Sequence, residues 1–430
     1  GCSAASERAT LPGNSRAQRT LLIVSGGREA VPAIDEARAL GLRVVVSDGA
    51  PDAPGLRLAD AGLLASTYDP DATVEAARAY AARNRIDGVL AVAADVPVTV
   101  AAVADALGLP GVSLETARLA ADKLLMKDRF RAAGVPIPWY APVESPHALA
   151  ALVGHATWPL IAKPVDSRGA RGVVRLLPGV DPTWAYTTAA AESPTGRVMV
   201  EAFIAGPQVS TESVVVRGET VTIGFSDRNY ELLDRFAPFV IENGGELPSV
   251  LPPSMQTAIG ELVAEAARAL GVHHGTVKGD IVIGPDGPRI IELAVRLSGG
   301  FFCTHEIPLA TGVNFVEAAI RLALGEEPAL ADLQPRWSKG VAQRYLFPTP
   351  GVVTAVDGVE EAAAGEGVAL LEVRVGRGDR VRPMTSHVCR AGVVITVGDT
   401  REIAVARAEA AAARIRIGIA RDRDVGAALH

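Results

Sequence analysis

The segment KGDIVIGPDGPRIIELAVRLSGG, residues 278–300, brings acids and cations together at strand spacing. It reads as a β-hairpin: GDIVIG, a turn at Pro285, Asp286 and Gly287, then PRIIELAV. A three-residue loop ending in glycine suits a type I turn closed by a left-handed residue. The register, symmetric about Asp286, sets Val282 opposite Ile290, Asp280 opposite Glu292 and Lys278 opposite Ala294. Alternation then places Lys278, Asp280, Glu292 and Arg296 on one face. Facing carboxylates repel across a sheet, and a hard cation such as Mg²⁺ turns that repulsion into attraction. The other reading is a solvated strand face. Ile290, Ile291, Leu293 and Val295 favour the metal site, because a carboxylate in so apolar a strand is costly to bury alone.

Two further stretches carry chemistry. The loop 166–172 bears Arg168, Gly169, Arg171 and Gly172 just after Lys163. Such a loop lays backbone N–H groups and cations over phosphates, or is simply a hairpin turn. A candidate substrate pocket comprises Asp227, Arg228, Asn229, Glu242, Gly299, Gly300 and residues 301–306. Arg228 is suited to a substrate carboxylate, and Phe301 or Phe302 to walling an apolar group. His305 reads as a substrate contact or a structural histidine, and His274 as packed or surface.

The elements that must position these residues follow from periodicity. Residues 21–24 and 43–46 read as buried strands joined by the turn 25–27 and a helix over 30–40, a βαβ unit of the Rossmann-like kind. The turn Ser25-Gly26-Gly27 is either a ligand edge or plain backbone geometry, and the G-x-G-x-x-G fingerprint of dinucleotide binding is missing. Helices over 72–84 and 98–107 and a strand over 88–92 complete an open α/β domain. One helix over 114–133 follows, then an extended 135–138, a helix over 147–153, and strands over 158–163, 173–177, 197–204, 208–216 and 220–225. A helix over 254–270 delivers the chain to the hairpin. Beyond it come a helix over 314–324, strands over 339–346, 369–375 and 392–397, and a last alanine-rich helix over 402–415.

The 430 residues suffice for two or three domains, and 49% hydrophobic with 21% charged residues describes a globular chain. A net charge of −7 gives no footprint for nucleic acid or an anionic membrane. Cys2, Cys303 and Cys389 lie far apart, which fits a reducing cytoplasm and excludes a disulfide framework or cysteine-rich zinc site. No apolar run reaches transmembrane length. The opening GCSAASERATLPGNSRAQR reads as a polar extension or cloning remnant rather than a secretory signal.

The order of these motifs resembles the ATP-grasp superfamily, nearest its biotin-carboxylase-like and purine-ligase-like branch. Asp122-Lys123 comes first, then Lys163 with its glycine loop, VEAFIAGPQVS, and the Asp280/Glu292 hairpin closing in Arg296. The resemblance runs from Leu21 through HVCRAGVVITVGDTREIAV. It implies an α/β and α+β multidomain protein: a Rossmann-like N-terminal domain over 20–112 and an ATP-grasp domain over 113–330. Within the latter, 135–204 is a lid subdomain, and a C-terminal α/β part over 331–430 completes the core. It also implies ATP with Mg²⁺ or Mn²⁺. Lys123 and Lys163 contact phosphates, and Arg168, Gly169, Arg171 and Gly172 close over them. Glu201, Ala202 and Ile204 read the adenine, and Gln208 faces the ribose. Asp280 and Glu292 hold two metal ions, while Arg296 and Lys278 stabilise the transferring phosphoryl group. Three positions depart from the family's habit: Gln208 for Glu, Asp280 for Glu and Ala294 for Asn.

The activity implied is an ADP-forming carbon–nitrogen ligase working through an acyl phosphate on small carboxylate and amine substrates. The expected setting is cytoplasmic, as a homodimer, with no nucleic acid and no membrane. A carboxylase or formate-activating purine-type ligase is the alternative. A non-catalytic nucleotide-binding scaffold is the third reading.

Overall fold

The computed structural model describes residues 18–156 and 159–420. The extension read over the first residues and Trp158 lie outside the described residues.

Near the N-terminus four parallel strands run in the order Ala61–Leu64, Arg43–Asp48, Thr20–Val24 and Gly88–Leu90. Thr20–Val24 is buried throughout, as a parallel strand covered on both faces must be. Leu22 and Val24 pack into a core beside Val103 and Ala77. Leu21 and Ile23 turn to the opposite face, into a core that continues through Leu297, Phe301, Phe315 and Val341. One hydrophobic mass therefore joins this sheet to the rest of the chain. The turn 25–27 is tight because Gly26 meets Gly55: a Cβ on Gly26 would lie 2.8 Å from Val46 and 3.2 Å from the Gly55 Cα. Backbone packing accounts for that glycine.

The sequence predicts one helix over 114–133, but the structure breaks it into Leu114–Ala121 and Lys123–Ala132. Asp122 leaves helical geometry at φ −119° and ψ 111°, and its carboxylate caps the second helix by accepting from Leu124 and Leu125 N–H. The reason is N-capping chemistry, which competes with continuing the helix.

A four-stranded antiparallel sheet follows, ordered Tyr140–Val143, Val198–Ala202, Leu160–Pro164 and Val174–Leu176. Leu160, Ala162, Val198 and Val200 pack against helices Pro146–His155 and Pro182–Ala191. By alternation Lys163 and Glu201 take the other face.

The largest sheet has eight strands. Its order is Gly287–Ala294, Gly275–Gly284, Gln208–Val216, Glu219–Arg228, Gly245–Leu247, Gly340–Tyr345, Gly392–Gly398 and Val368–Val373. Helix Pro253–Ala269 lies under the first two strands, with Ile259, Val263 and Ala266 beside Ile281, Ile290 and Leu293. The chain does not finish on the alanine-rich helix. Arg401–Arg414 is followed by a strand, Arg416–Ala420, which pairs with Gly351–Asp357. Its alternation in RIGIA is too short and too glycine-broken to read locally.

The hairpin register differs from the sequence reading in an instructive way. The strands turn through only Pro285 and Asp286, with Gly284 opposite Gly287, so Val282 pairs with Arg289 and not Ile290. A register shift beside Asp280 then inserts one residue, Ile291, into the returning strand. That bulge restores Asp280 opposite Glu292 and Lys278 opposite Ala294. A bulge adds one residue to one strand, which offsets the one-residue shorter turn.

Candidate active site

The four-stranded antiparallel sheet and the large sheet face each other across a cavity of about 520 Å³. The candidate residues line it except Gly172, Asp227, Asn229, Phe301, Cys303, Thr304 and His305. Gly172, at φ +68°, sits under the loop, where a Cβ would press on Glu192, Pro164 and Ala189 at 3.0–3.1 Å. Phe301 is buried in the shared core, and its neighbour Phe302 lines the cavity instead. His305 packs edge-on against the Phe301 ring at 5.3 Å and meets Thr304 Oγ1 at 3.0 Å. Asp227 also turns away, by strand alternation, to Arg401 at 2.6 Å on the opposite face.

The break at Asp122 matters here. It starts a helix with Lys123, whose backbone N–H donates to Val165 O at 3.0 Å and whose Nζ donates to Ser167 O at 2.7 Å. The same Nζ lies 3.5 Å from Glu292 Oε1. Opposite, Glu201 is buried between the ammonium groups of Lys163 and Lys127, each in direct contact with one carboxylate oxygen. Burial alone would raise the Glu201 carboxyl, but the two ammonium groups overcome it and hold it low. Burial pushes Lys127 down to about 8, against the pull of Glu201. Lys127 carries no family role in the sequence reading; only the fold shows it as the second cation on Glu201.

On the large sheet, Asp280 pairs with Arg228 at 3.0 Å and with Lys278, and accepts from Ser210 Oγ at 3.0 Å. Burial opposes ionisation of Asp280, and Arg228 and Lys278 outweigh it, holding the carboxyl well below its usual range. Glu292 is held low as well: burial raises it, while Lys123 leads the charges that lower it. Two ionised carboxylates thus face one cavity from paired strands. Among the described residues no cluster of three or more His, Cys, Asp or Glu side chains could hold a metal by itself. This donor set fits a Mg²⁺ that keeps waters and shares substrate phosphates, provided Lys278 yields an Asp280 oxygen. Glu292, with one long ion pair, is the readier ligand.

The other end of the cavity is assembled from distant segments. Glu29, from the N-terminal sheet's edge, accepts from Gly300 N–H at 2.7 Å. Burial raises its carboxyl despite that bond and the charge of Arg374. Arg296 lies 3.7 Å from Asp95. Arg228 also binds Glu242 through Nε and Nη2, at 3.0 and 2.6 Å. From the C-terminal part, Arg390 stacks on the Tyr345 ring at 3.7 Å while its buried Nε has no hydrogen-bond partner among the described residues. Arg374 and His387 line the same end. The loop 166–172 reaches both flanks: Arg168 lies 4.0 Å over the Tyr68 ring, and Gly169 O accepts from His387 N–H at 3.0 Å. No local pattern marks Glu29, Tyr68, Tyr345, Arg374 or Arg390, and only tertiary packing brings them here.

Three family models match consecutive parts of the chain: an ATP-grasp N-terminal domain over 34–111, an ATP-grasp domain over 120–300, and the L-amino acid ligase C-terminal domain 2 over 344–420. The chain belongs to the ATP-grasp superfamily. An uncharacterised protein of Sinorhizobium fredii is 26% identical over 74% of this chain and 65% of its own length. A formate-dependent phosphoribosylglycinamide formyltransferase of Burkholderia thailandensis is 31% identical over 46% of this chain and 49% of its own length. The chain therefore spans less than two thirds of either relative. Among solved structures, the L-amino acid ligase from Bacillus licheniformis shares the ATP-grasp fold, with a TM-score of 0.79 and 23% identity over 94% of this chain and 99% of that one. Among the described residues no helix is long and apolar enough to cross a membrane.

Proposed function

We propose that this ATP-grasp protein is an ADP-forming carboxylate–amine ligase. The supporting observation is the layout of one cavity. Lysines 123 and 163 and the 166–172 loop stand at one end, the opposed Asp280 and Glu292 in the middle, and Arg296 with Gly299 and Gly300 beyond them. Cations, then metal-binding carboxylates, then a cation beside an open backbone suit a triphosphate whose terminal phosphoryl group points at an acid.

In this reading Lys123 and Lys163 hold phosphate oxygens, and Arg168, Gly169 and Arg171 cover them. Glu201 fixes Lys163 and Lys127, while Ala202 and Ile204 meet the adenine edge and Gln208 the ribose. Glu292 and Asp280 would hold a Mg²⁺, which would supply charge neutralisation to the phosphates. Arg296 orients the substrate carboxylate and offsets charge on the transferring group, with Lys278 beside it. The carboxylate oxygen attacks the γ-phosphorus and ADP leaves. An amine then attacks the acyl carbon and phosphate leaves. Positioning and charge supply most of the rate enhancement, and a closed loop keeps water from the acyl phosphate.

Phe302 and Tyr345 wall the acceptor end, which favours an organic acid over formate or bicarbonate. The test is ADP and phosphate release over the protein amino acids, singly and in pairs, with hydroxylamine as an acyl-phosphate trap. Equal release of both products and a hydroxamate are expected. ADP with formate or bicarbonate alone, or AMP with pyrophosphate, overturns the reading.

A further inference from the structure

The acids lining the cavity differ in one respect. Glu201 has two lysines, Asp280 has Arg228 and Lys278, Glu242 has Arg228, Glu292 has Lys123, and Asp95 has Arg296. Glu29 has the Gly300 N–H. Among the described residues Glu306 alone has no cation lowering its carboxyl, whereas Glu29 also feels Arg374; the one polar contact of Glu306 there is the neutral Ser226 hydroxyl, 3.5 Å from Oε2. It is only 2% exposed, yet it lines the cavity. A buried carboxyl without a counter-charge is costly, and such groups mark sites where a charge arrives with a ligand.

Its position is fixed by a short π-helical turn, Phe302–Glu306, entered through Phe301 at φ +61°. The turn rests on Gly224, where a Cβ would lie 2.5 Å from Ile307 and 3.0 Å from Phe302. Ser226 pairs directly with Ser210 on the neighbouring strand. Ser210 Oγ meets Asp280 at 3.0 Å, and Ser226 Oγ turns the other way to Glu306. Ser226, whose hydroxyl contacts Glu306, therefore stands two strand spacings, roughly 10 Å, along the sheet from Asp280. That separation leaves room for an acyl phosphate and its attacking nitrogen between them.

We propose that Glu306 receives the amine substrate: its carboxylate pairs with the incoming ammonium group and takes the proton that must leave before nitrogen attacks. The inference rests on the ligase reading. The nitrogen lone pair forms the C–N bond, and the acyl C–O bond breaks with its electrons leaving on phosphate. Two N–H protons are lost, one to a Glu306 oxygen and one to the departing hydrogen phosphate. Burial and the nearby Glu242 raise the free Glu306 carboxyl to about 8. Ser226, Glu242 and Tyr345 face it, so nothing but the arriving ammonium supplies positive charge to draw it back toward the ionised form. A base tuned near the operating pH is the efficient one.

Hydroxylamine gives the test, because it is unprotonated at neutral pH and needs no base. With the most active amino-acid pair from the ADP screen, amide and hydroxamate are measured for wild type and Glu306→Gln. The amide-to-hydroxamate ratio should fall by about a hundredfold in the variant near neutrality. The deficit should close above the pKa of the amine, where no ammonium proton is left for Glu306 to take. Hydroxamate from the variant also reports that it folds. A ratio unchanged from wild type, or a deficit that persists at high pH, overturns the role of Glu306 alone. No ADP from wild type with any pair, and no hydroxamate, overturns the ligase reading and this inference with it.

Discussion

The two ends of the cavity are built on opposite principles. At the nucleotide end the charges neutralise one another before any ligand arrives: Lys127–Glu201–Lys163, Lys123–Glu292, and Arg228–Asp280–Lys278. Their side chains all come from strands and helices between Lys123 and Glu292. At the acceptor end the side chains come from segments as far apart as Glu29 and Arg390, and some stay unmatched among the described residues: Glu306 lacks a cation and Arg390 Nε a partner. A paired end is rigid and takes a ligand whose charges are constant. An unmatched end takes its missing charges from the substrate, and there selectivity lies.

The largest effect should come from breaking the paired end. Glu201→Ala leaves two buried ammonium groups without a partner, and a loss of about 3–5 kcal/mol in unfolding free energy is expected in urea denaturation. The sign with pH follows from its low folded pKa: the stabilisation is present above the ordinary value of 4.5 and disappears as the pH falls through the folded one. A variant as stable as wild type would show that the triad contributes nothing net.

Next comes the metal-facing acid. Glu292→Gln keeps the shape and removes the charge, so ADP release should fall by about 10²–10³-fold with the melting temperature little changed. Full activity would remove Glu292 from the metal site.

At the unmatched end, Arg390→Met should leave the ATP KM alone and raise the KM of one organic substrate. The expected factor is about ten- to a hundredfold, as for a lost charge-assisted hydrogen bond. A change confined to ATP would reverse the assignment of the two ends.

The smallest effect belongs to Gln208→Ala, which should raise the ATP KM about tenfold while sparing kcat. Loss of kcat at constant KM would move Gln208 from the ribose to the chemistry.

Legibility divided along the same line as the charges. The hairpin acids were readable because alternation and cross-strand pairing are local rules. The pairing of Asp280 with Glu292 survives even though both the turn and the strand geometry differ from the reading, since the bulge at Ile291 offsets the shorter turn. The loop arginines were readable from their glycine neighbours, while Lys163 and Glu201 stood out only through the resemblance of the motif order to the ATP-grasp family. Lys127 was invisible: only the helix break at Asp122 and the packing of two sheets put its ammonium on Glu201. Phe301 and Phe302 were interchangeable by type: both enter the core, and only Phe302 also reaches the cavity.

By itself the sequence determined most of the longer strands and helices and the chemistry each could carry, because hydrophobic period and cap or turn residues act within a few positions. Tertiary structure alone decided which charges are neutralised and which are left open. That outcome depends on distances between residues far apart in the chain, such as Glu29 and Gly300, 271 positions apart, or Glu242 and Arg390, 148 apart. Such distances are set by the shared core that fuses the N-terminal sheet to the large one, and no local period encodes them.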